Sequence, residues 1–238
     1  MTFHPFAMTK HRLFAMVCGG LALSVAVGAG RASAEEPTVS FNLGAASDYM
    51  FRGVSQTDEG VQVFGGADLS AGQFYAGVWG SNVDFYDSTD AEIDLYAGFK
   101  PALGPVTLDL GVIYYGYVNA PSGADYGNWE AKLAGSTPVG AGSVAAAVFY
   151  SPDGFGAADE AIYYEVNASY PATEKLSFSG ALGRQAYDGP GDYTTWNVGA
   201  TWAFMPRLAV DLRYHDTSEH GFGKLYDSRA VLALKATF

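Results

Sequence analysis

Apolar and polar residues alternate with a period of two along most of this chain. The pattern predicts strands at roughly 38–51, 61–70, 73–83, 91–100, 106–118, 128–137, 143–151, 161–170, 176–186, 193–204, 208–215 and 227–238. In the fourth, Ala91, Ile93, Leu95, Ala97 and Phe99 interleave with Glu92, Asp94, Tyr96, Gly98 and Lys100. The eleventh sets Leu208, Val210, Leu212 and Tyr214 against Ala209, Asp211, Arg213 and His215. The last carries Ala230, Leu232, Leu234, Ala236 and Phe238 on one side, with Arg229, Lys235 and Thr237 between them. Successive side chains leave a strand on opposite faces, so each segment offers one greasy face and one wetter one. About 9–11 residues suffice for a tilted strand to cross the apolar layer of a bilayer.

The connections alternate too. Five are short and contain Pro or Gly, at 70–72, 101–105, 138–142, 171–175 and 205–207. Proline cannot donate to a β-ladder and glycine accepts tight-turn geometry, so these read as turns. Six are longer and polar, near 52–60, 84–90, 119–127, 152–160, 187–192 and 216–226. Eleven connections join twelve strands, with both chain ends on the short-turn side. The predicted fold class is all-β: a transmembrane antiparallel up-and-down β-barrel of twelve strands, with short periplasmic turns and longer outer loops.

The amino end reads as a cleaved signal peptide, residues 1–34. Lys10, His11 and Arg12 supply its basic region, Leu13 to Gly30 its apolar core, and Ala32-Ser33-Ala34 its small-residue cleavage site. The site and the Gly- and Ala-rich core argue against a membrane anchor. Cys18 lies inside that core without a preceding small residue, which argues against lipidation. The remaining segment, 35–238, is read as one barrel domain. It has no apolar run of about 18 residues, which excludes a helical membrane protein. A closed barrel reconciles abundant aromatics with sparse charge, because backbone groups pair between strands and no edge is left open.

Loss of Lys10, Arg12 and Arg31 with the leader leaves 25 acids against 10 bases, a net charge of −15, and no cysteine. Disulfide and thiol chemistry are thereby excluded, and nucleic acid is not an expected partner. Aromatics fall where interfacial girdles should lie. Phe41, Phe74, Phe99, Tyr170, Phe178, Phe204 and Phe238 sit near the short turns; Tyr49, Tyr114, Trp129, Tyr150, Trp196 and Tyr214 sit near the long loops. An acidic soluble β-sandwich would explain neither the loop-length alternation nor the terminal Phe238.

Strand parity assigns Asp48, Asp68, Glu92, Asp94, Asp109, Glu130, Glu165 and Asp211 to the lumen, with Arg52, Lys100, Lys132, Arg213, Arg229 and Lys235. Asp48 and Arg52 share a face but lie about 13 Å apart along a strand, so each must pair elsewhere. These charges form either a salt-bridged wall or a solute track. Most of the net charge lies in the long loops, with Asp84, Asp87, Asp90, Asp153, Asp159 and Glu160 as the acidic mouth. The spacing of Asp84, Asp87 and Asp90 lacks the full ligand loop of a calcium site, so no metal or other cofactor is expected.

The segment Ala46-Ser47-Asp48-Tyr49-Met50-Phe51-Arg52-Gly53-Val54-Ser55-Gln56-Thr57 resembles the opening of the TorF-family porins, the Gcw_chp family of proteobacterial outer-membrane proteins. Gly65-Gly66-Ala67-Asp68, the stretch from Tyr75 to Phe85, Glu92-Ile93-Asp94-Leu95-Tyr96-Ala97-Gly98, Ile113-Tyr114-Tyr115 and Arg213-Tyr214-His215-Asp216-Thr217 extend the likeness over the mature chain. The resemblance implies a small channel and carries over no catalytic residue.

The expected function is an outer-membrane porin-like channel for passive diffusion of small hydrophilic solutes, with a modest cation preference. The alternatives are a non-conducting structural or adhesion barrel and a barrel-embedded enzyme. Catalysis needs a nucleophile beside a base; His215 and His220 alone survive cleavage, and His215, Asp216 and Ser218 at a strand end do not form a triad. Expected partners are outer-membrane lipid and lipopolysaccharide of a Gram-negative bacterium, and its assembly machinery through the C-terminal strand ending at Phe238.

Overall fold

Twelve antiparallel strands hydrogen-bond edge to edge around a closed circle in the computed structural model, which describes residues 36–157 and 159–238. The leader expected at 1–34 lies outside the described residues. In chain order the strands are β1 (Thr38–Ala46), β2 (Met50–Phe51), β3 (Val54–Ser55), β4 (Gln62–Ala71), β5 (Phe74–Asn82) and β6 (Ala91–Phe99). They continue as β7 (Ala102–Leu103), β8 (Val106–Val118), β9 (Asn128–Val139), β10 (Gly142–Ser151) and β11 (Ala161–Pro171). The last are β12 (Leu176–Tyr187), β13 (Tyr193–Met205), β14 (Leu208–Thr217) and β15 (Arg229–Thr237). The circle runs β1-β4-β5-β6-β8-β9 and on through β15, which returns to pair with β1. The two-residue β7 extends a short turn alongside β8, and β2 and β3 form a separate hairpin.

Closure is completed by the last residue. Phe238 N–H donates to Phe41 O at 2.9 Å, and Phe41 N–H donates back to Phe238 O at 3.2 Å. No long open edge remains among the described residues, which is the condition a sheet must meet in hydrocarbon.

The period-two pattern is realised as an outside and an inside. On β6, Ile93 and Leu95 are exposed on the outer face, while Glu92 and Asp94 are each 3 % exposed and face inward. Leu110, Leu212 and Leu234 likewise face out, against Asp109 and Asp211 facing in. Phe41, Phe74, Tyr170, Phe178 and Phe238 are exposed at the short-turn end, and Trp129, Tyr150, Trp196 and Tyr214 at the other. The buried interior is thus largely polar and charged, and the greasy surface is the outside: the inverse of a water-soluble domain.

Strand β1 departs from its predicted span. It ends at Ala46 rather than continuing to residue 51, because the chain turns inward at Ser47. Asp48 accepts hydrogen bonds from Ser55 Oγ at 2.7 Å and Thr57 Oγ1 at 2.8 Å, which folds the segment back on itself. Parity counted along β1 therefore fails beyond Ala46. Tyr49, assigned to the outer aromatic girdle, is 4 % exposed inside the barrel and donates its hydroxyl to Glu92 at 2.6 Å.

Candidate functional site: the lumen and its inward hairpin

The β2–β3 hairpin is rooted between β1 and β4 and reaches across the lumen. Phe51 pairs with Val54, leaving Arg52-Gly53 as a two-residue loop with both φ angles positive, 48° and 84°. Such primed turns match the twist of a hairpin, and their second position favours glycine. Here sterics add a second reason. A side chain at Gly53 would collide with Thr195 on β13, so the tip is pressed against the far wall.

Arg52 at that tip is enclosed by four strands. Its Nη1 and Nη2 donate to Glu130 Oε1 and Oε2 on β9, both at 2.8 Å, and Nη1 also reaches Gln185 Oε1 on β12 at 3.1 Å. The guanidinium carbon stands 4.4 Å from the Tyr163 ring centroid on β11 and 5.1 Å from that of Phe149 on β10. Planar guanidinium suits both bidentate pairing and stacking. At the hairpin root, Asp48 Oδ2 pairs with Arg229 Nη1 at 2.9 Å, and Arg229 also meets Glu59 at 3.3 Å. Asp48 and Arg52 thus each find partners elsewhere.

The remaining inward charges cluster by wall. Asp109 on β8 accepts from Lys132 Nζ and Tyr75 Oη, each at 2.7 Å, with Lys100 Nζ 3.8 Å away. Asp211 on β14 holds Arg213 at 3.2 Å; Arg213 in turn reaches Asn197 on β13 at 2.7 Å and Ser179 on β12 at 2.8 Å. Glu165 accepts from Tyr163 and Asn167, both at 3.0 Å. Asp68 accepts from Tyr96 Oη at 2.5 Å. Lys235 lines the lumen with no carboxylate within 4 Å among the described residues.

Beneath the hairpin lies a cavity of about 320 Å³. Tyr49, Met50 and Phe51 form its roof, while Ser40, Ser70, Lys100 and Lys235 line it towards the short-turn end. Trp79, Asp94, Tyr96 and Tyr115 line the side formed by β5, β6 and β8.

Asp84, Asp87, Asp90, Asp153, Asp159 and Glu160 are all exposed at the long-loop end. Loop-to-loop bonds partly tie this rim down. Lys224 Nζ meets Asp58 Oδ1 at 2.6 Å and Tyr86 donates to the same oxygen; together they hold the Asp58 carboxyl below the usual carboxylate range. Tyr126 donates to Asp87 at 2.7 Å and stacks on Phe155 at 4.5 Å, with Phe85 and Tyr117 completing an aromatic cluster over one side of the mouth. No group of three or more acids, His or Cys is placed to hold a metal among the described residues.

Several of these residues escaped sequence reasoning. Gln185, Thr195 and Thr217 contact the hairpin tip from strands remote in sequence, and no local pattern marks them. The hairpin itself left a trace. Tyr49, Met50, Phe51 and Val54 are too apolar for an exposed loop, and the Arg-Gly pair between them has the form of a hairpin turn.

A closed twelve-stranded barrel with an apolar exterior, a polar lumen and long loops at one end is the architecture of outer-membrane porins. The chain belongs to the Gcw_chp family: the model of that family, described as a bacterial protein of unknown function, matches residues 30–238. No curated protein matches the chain at a significant level. Among solved structures, it is similar to the KdgM porin at a TM-score of 0.61 and 11% identity, covering 84% of this chain and 99% of that one. The NanC porin gives 0.56 and 10% identity over 84% and 99%. A KdgM porin in complex with disordered oligogalacturonate gives 0.59 and 10% identity over 84% and 98%. At these identities the likeness is one of fold.

Proposed function

We propose that this protein is a porin-like channel of the Gram-negative outer membrane, through which small hydrophilic solutes diffuse passively with a modest preference for cations. One observation carries the reading: the barrel holds a cavity of about 320 Å³ whose lining includes Asp68, Asp94, Lys100, Asp211, Arg213 and Lys235. Twelve strands lie between eight-stranded barrels filled by side chains and sixteen-stranded porins with wide channels. The inward hairpin narrows the bore further, so the conductance is small.

The sign of the preference comes from the mouth. Paired charges in the lumen add little net field, whereas the exposed carboxylates of the outer loops concentrate cations. KdgM has been seen with oligogalacturonate, a polyanion; the acidic rim here favours the opposite charge. The barrel is read as a channel and not as an enzyme, with lipid and lipopolysaccharide around it.

The second reading, a non-conducting structural barrel, draws on the Arg52–Glu130 pair that holds the hairpin across the lumen. Conductance of purified protein in a planar bilayer separates the two. The channel reading expects small steps in KCl and a reversal potential favouring K⁺ over Cl⁻. Absence of any conductance supports the structural barrel, and anion selectivity overturns the argument from the mouth.

A further inference from the structure

Five inward-facing positions form one continuous row across the wall. Asn42 on β1 pairs in register with Gly66 on β4, Gly66 with Trp79 on β5, Trp79 with Asp94 on β6, and Asp94 with Tyr115 on β8. A side chain at Gly66 would lie 3.2 Å from Trp79 Cδ1 and 3.0 Å from Asn42 Nδ2. The missing side chain is what gives the indole its place.

Asp94 is the anomaly in this row. It is 3 % exposed, lines the cavity, and its Oδ1 has no hydrogen-bond partner among the described residues. Four donors of the surrounding wall are engaged elsewhere. Tyr49 donates to Glu92, Tyr96 to Asp68 and Tyr115 to Glu130, while Lys132 is held by Asp109. Asn42 Oδ1, on the same cavity, is a second buried acceptor without a partner. A buried carboxylate left without a countercharge or donor is costly, and aromatic faces beside it attract cations.

We infer that Asp94 is the anchor of a binding subsite for a protonated alkylamine within the lumen. An N–H-bearing cation supplies both the charge and the donor that Oδ1 lacks. Its alkyl stem lies against the aromatic surface offered by Trp79, Tyr115 and the overhanging Tyr49. Hard metal ions fit poorly, because they require several oxygen ligands and no group of three or more acids, His or Cys converges to hold one among the described residues. The inference deepens the channel reading, since it names the class of solute that pauses on its way through.

The test uses full-length folded protein in detergent, titrated calorimetrically with n-butylammonium, tetramethylammonium and the uncharged 1-butanol. Saturable binding of butylammonium is expected, with tetramethylammonium weaker for want of an N–H and butanol undetectable. Asp94→Asn is expected to weaken butylammonium binding about tenfold or more; unaltered heat-modifiable migration shows that the variant has folded. Equal binding of butanol, or equal binding by a folded Asp94→Asn, overturns the inference. Should that variant fail to fold, the comparison of the three probes on the wild type still decides. KCl conductance without butylammonium binding refutes the subsite and leaves the channel standing. Butylammonium binding without conductance refutes the channel and leaves the subsite.

Discussion

Arg52 and Glu130 lie 78 positions apart in sequence and meet through two parallel hydrogen bonds of 2.8 Å, inside the barrel, with side chains 10 % and 4 % exposed. One belongs to a loop and the other to the wall. Their pairing ties the tip of the inward hairpin to the far wall of the barrel.

Removing one partner of a buried ion pair strands the other, at a cost of about 3–5 kcal/mol. Arg52→Ala is therefore expected to release the hairpin tip and to raise single-channel conductance over the wild type. The same change should lower thermal stability. Conductance equal to the wild type in a folded Arg52→Ala barrel would show that the hairpin is not the constriction.

The facing of β8 gives a second expectation. Leu110 is exposed on the outer surface and Thr107 points inward. An arginine facing lipid near the midplane costs about 2–4 kcal/mol, so Leu110→Arg should destabilise the barrel far more than Thr107→Arg. Reversible unfolding in detergent or lipid measures the difference, and equal costs would refute this assignment of faces.

Asp84, Asp87 and Asp90 line one arc of the mouth. Neutralising all three to Asn should reduce the K⁺ over Cl⁻ bias read from reversal potentials. The loss should be greater at low salt, where the Debye length is about 30 Å at 0.01 M. A bias that survives the triple change unaltered would place the selectivity elsewhere.

His220 in the last outer loop is hydrogen-bonded through Nε2 to Asp216 Oδ1 at 2.7 Å, which raises its imidazole above the ordinary 6.5. A raised value means that the pair stabilises the loop fully below about pH 6.5 and loses that contribution as pH climbs through the raised value. An NMR titration should find the His220 midpoint above 6.5 in the wild type and lower in Asp216→Asn. An unshifted wild-type midpoint would contradict the pairing.

Phe238 closes the ladder to Phe41 and stands exposed at the short-turn rim. Its deletion removes two backbone hydrogen bonds and an interfacial aromatic, and should slow assembly into a heat-modifiable barrel. Normal assembly of the truncated chain would deny that residue its role.

The alternation of side chains by itself determined the barrel. Segments such as 91–100 and 208–215 show the period of two so regularly that Asp94, Asp211 and Arg213 can be placed inward and Leu95 and Leu212 outward from sequence. The physical reason is that lipid on one side and water or charge on the other act at every residue of a spanning strand. The alternation of turn lengths settled strand number and which end carries the loops. What parity could not reach was the chain beyond Ala46, where no ladder enforces alternation. There the tertiary structure decided. It turned Tyr49 inward and carried Arg52 across the lumen to Glu130 and Gln185. It also left Asp94 facing a cavity with its Oδ1 unpartnered among the described residues. These pairings join residues of different strands around a closed circle, and their distances are set by barrel curvature and hairpin depth, which no local period encodes.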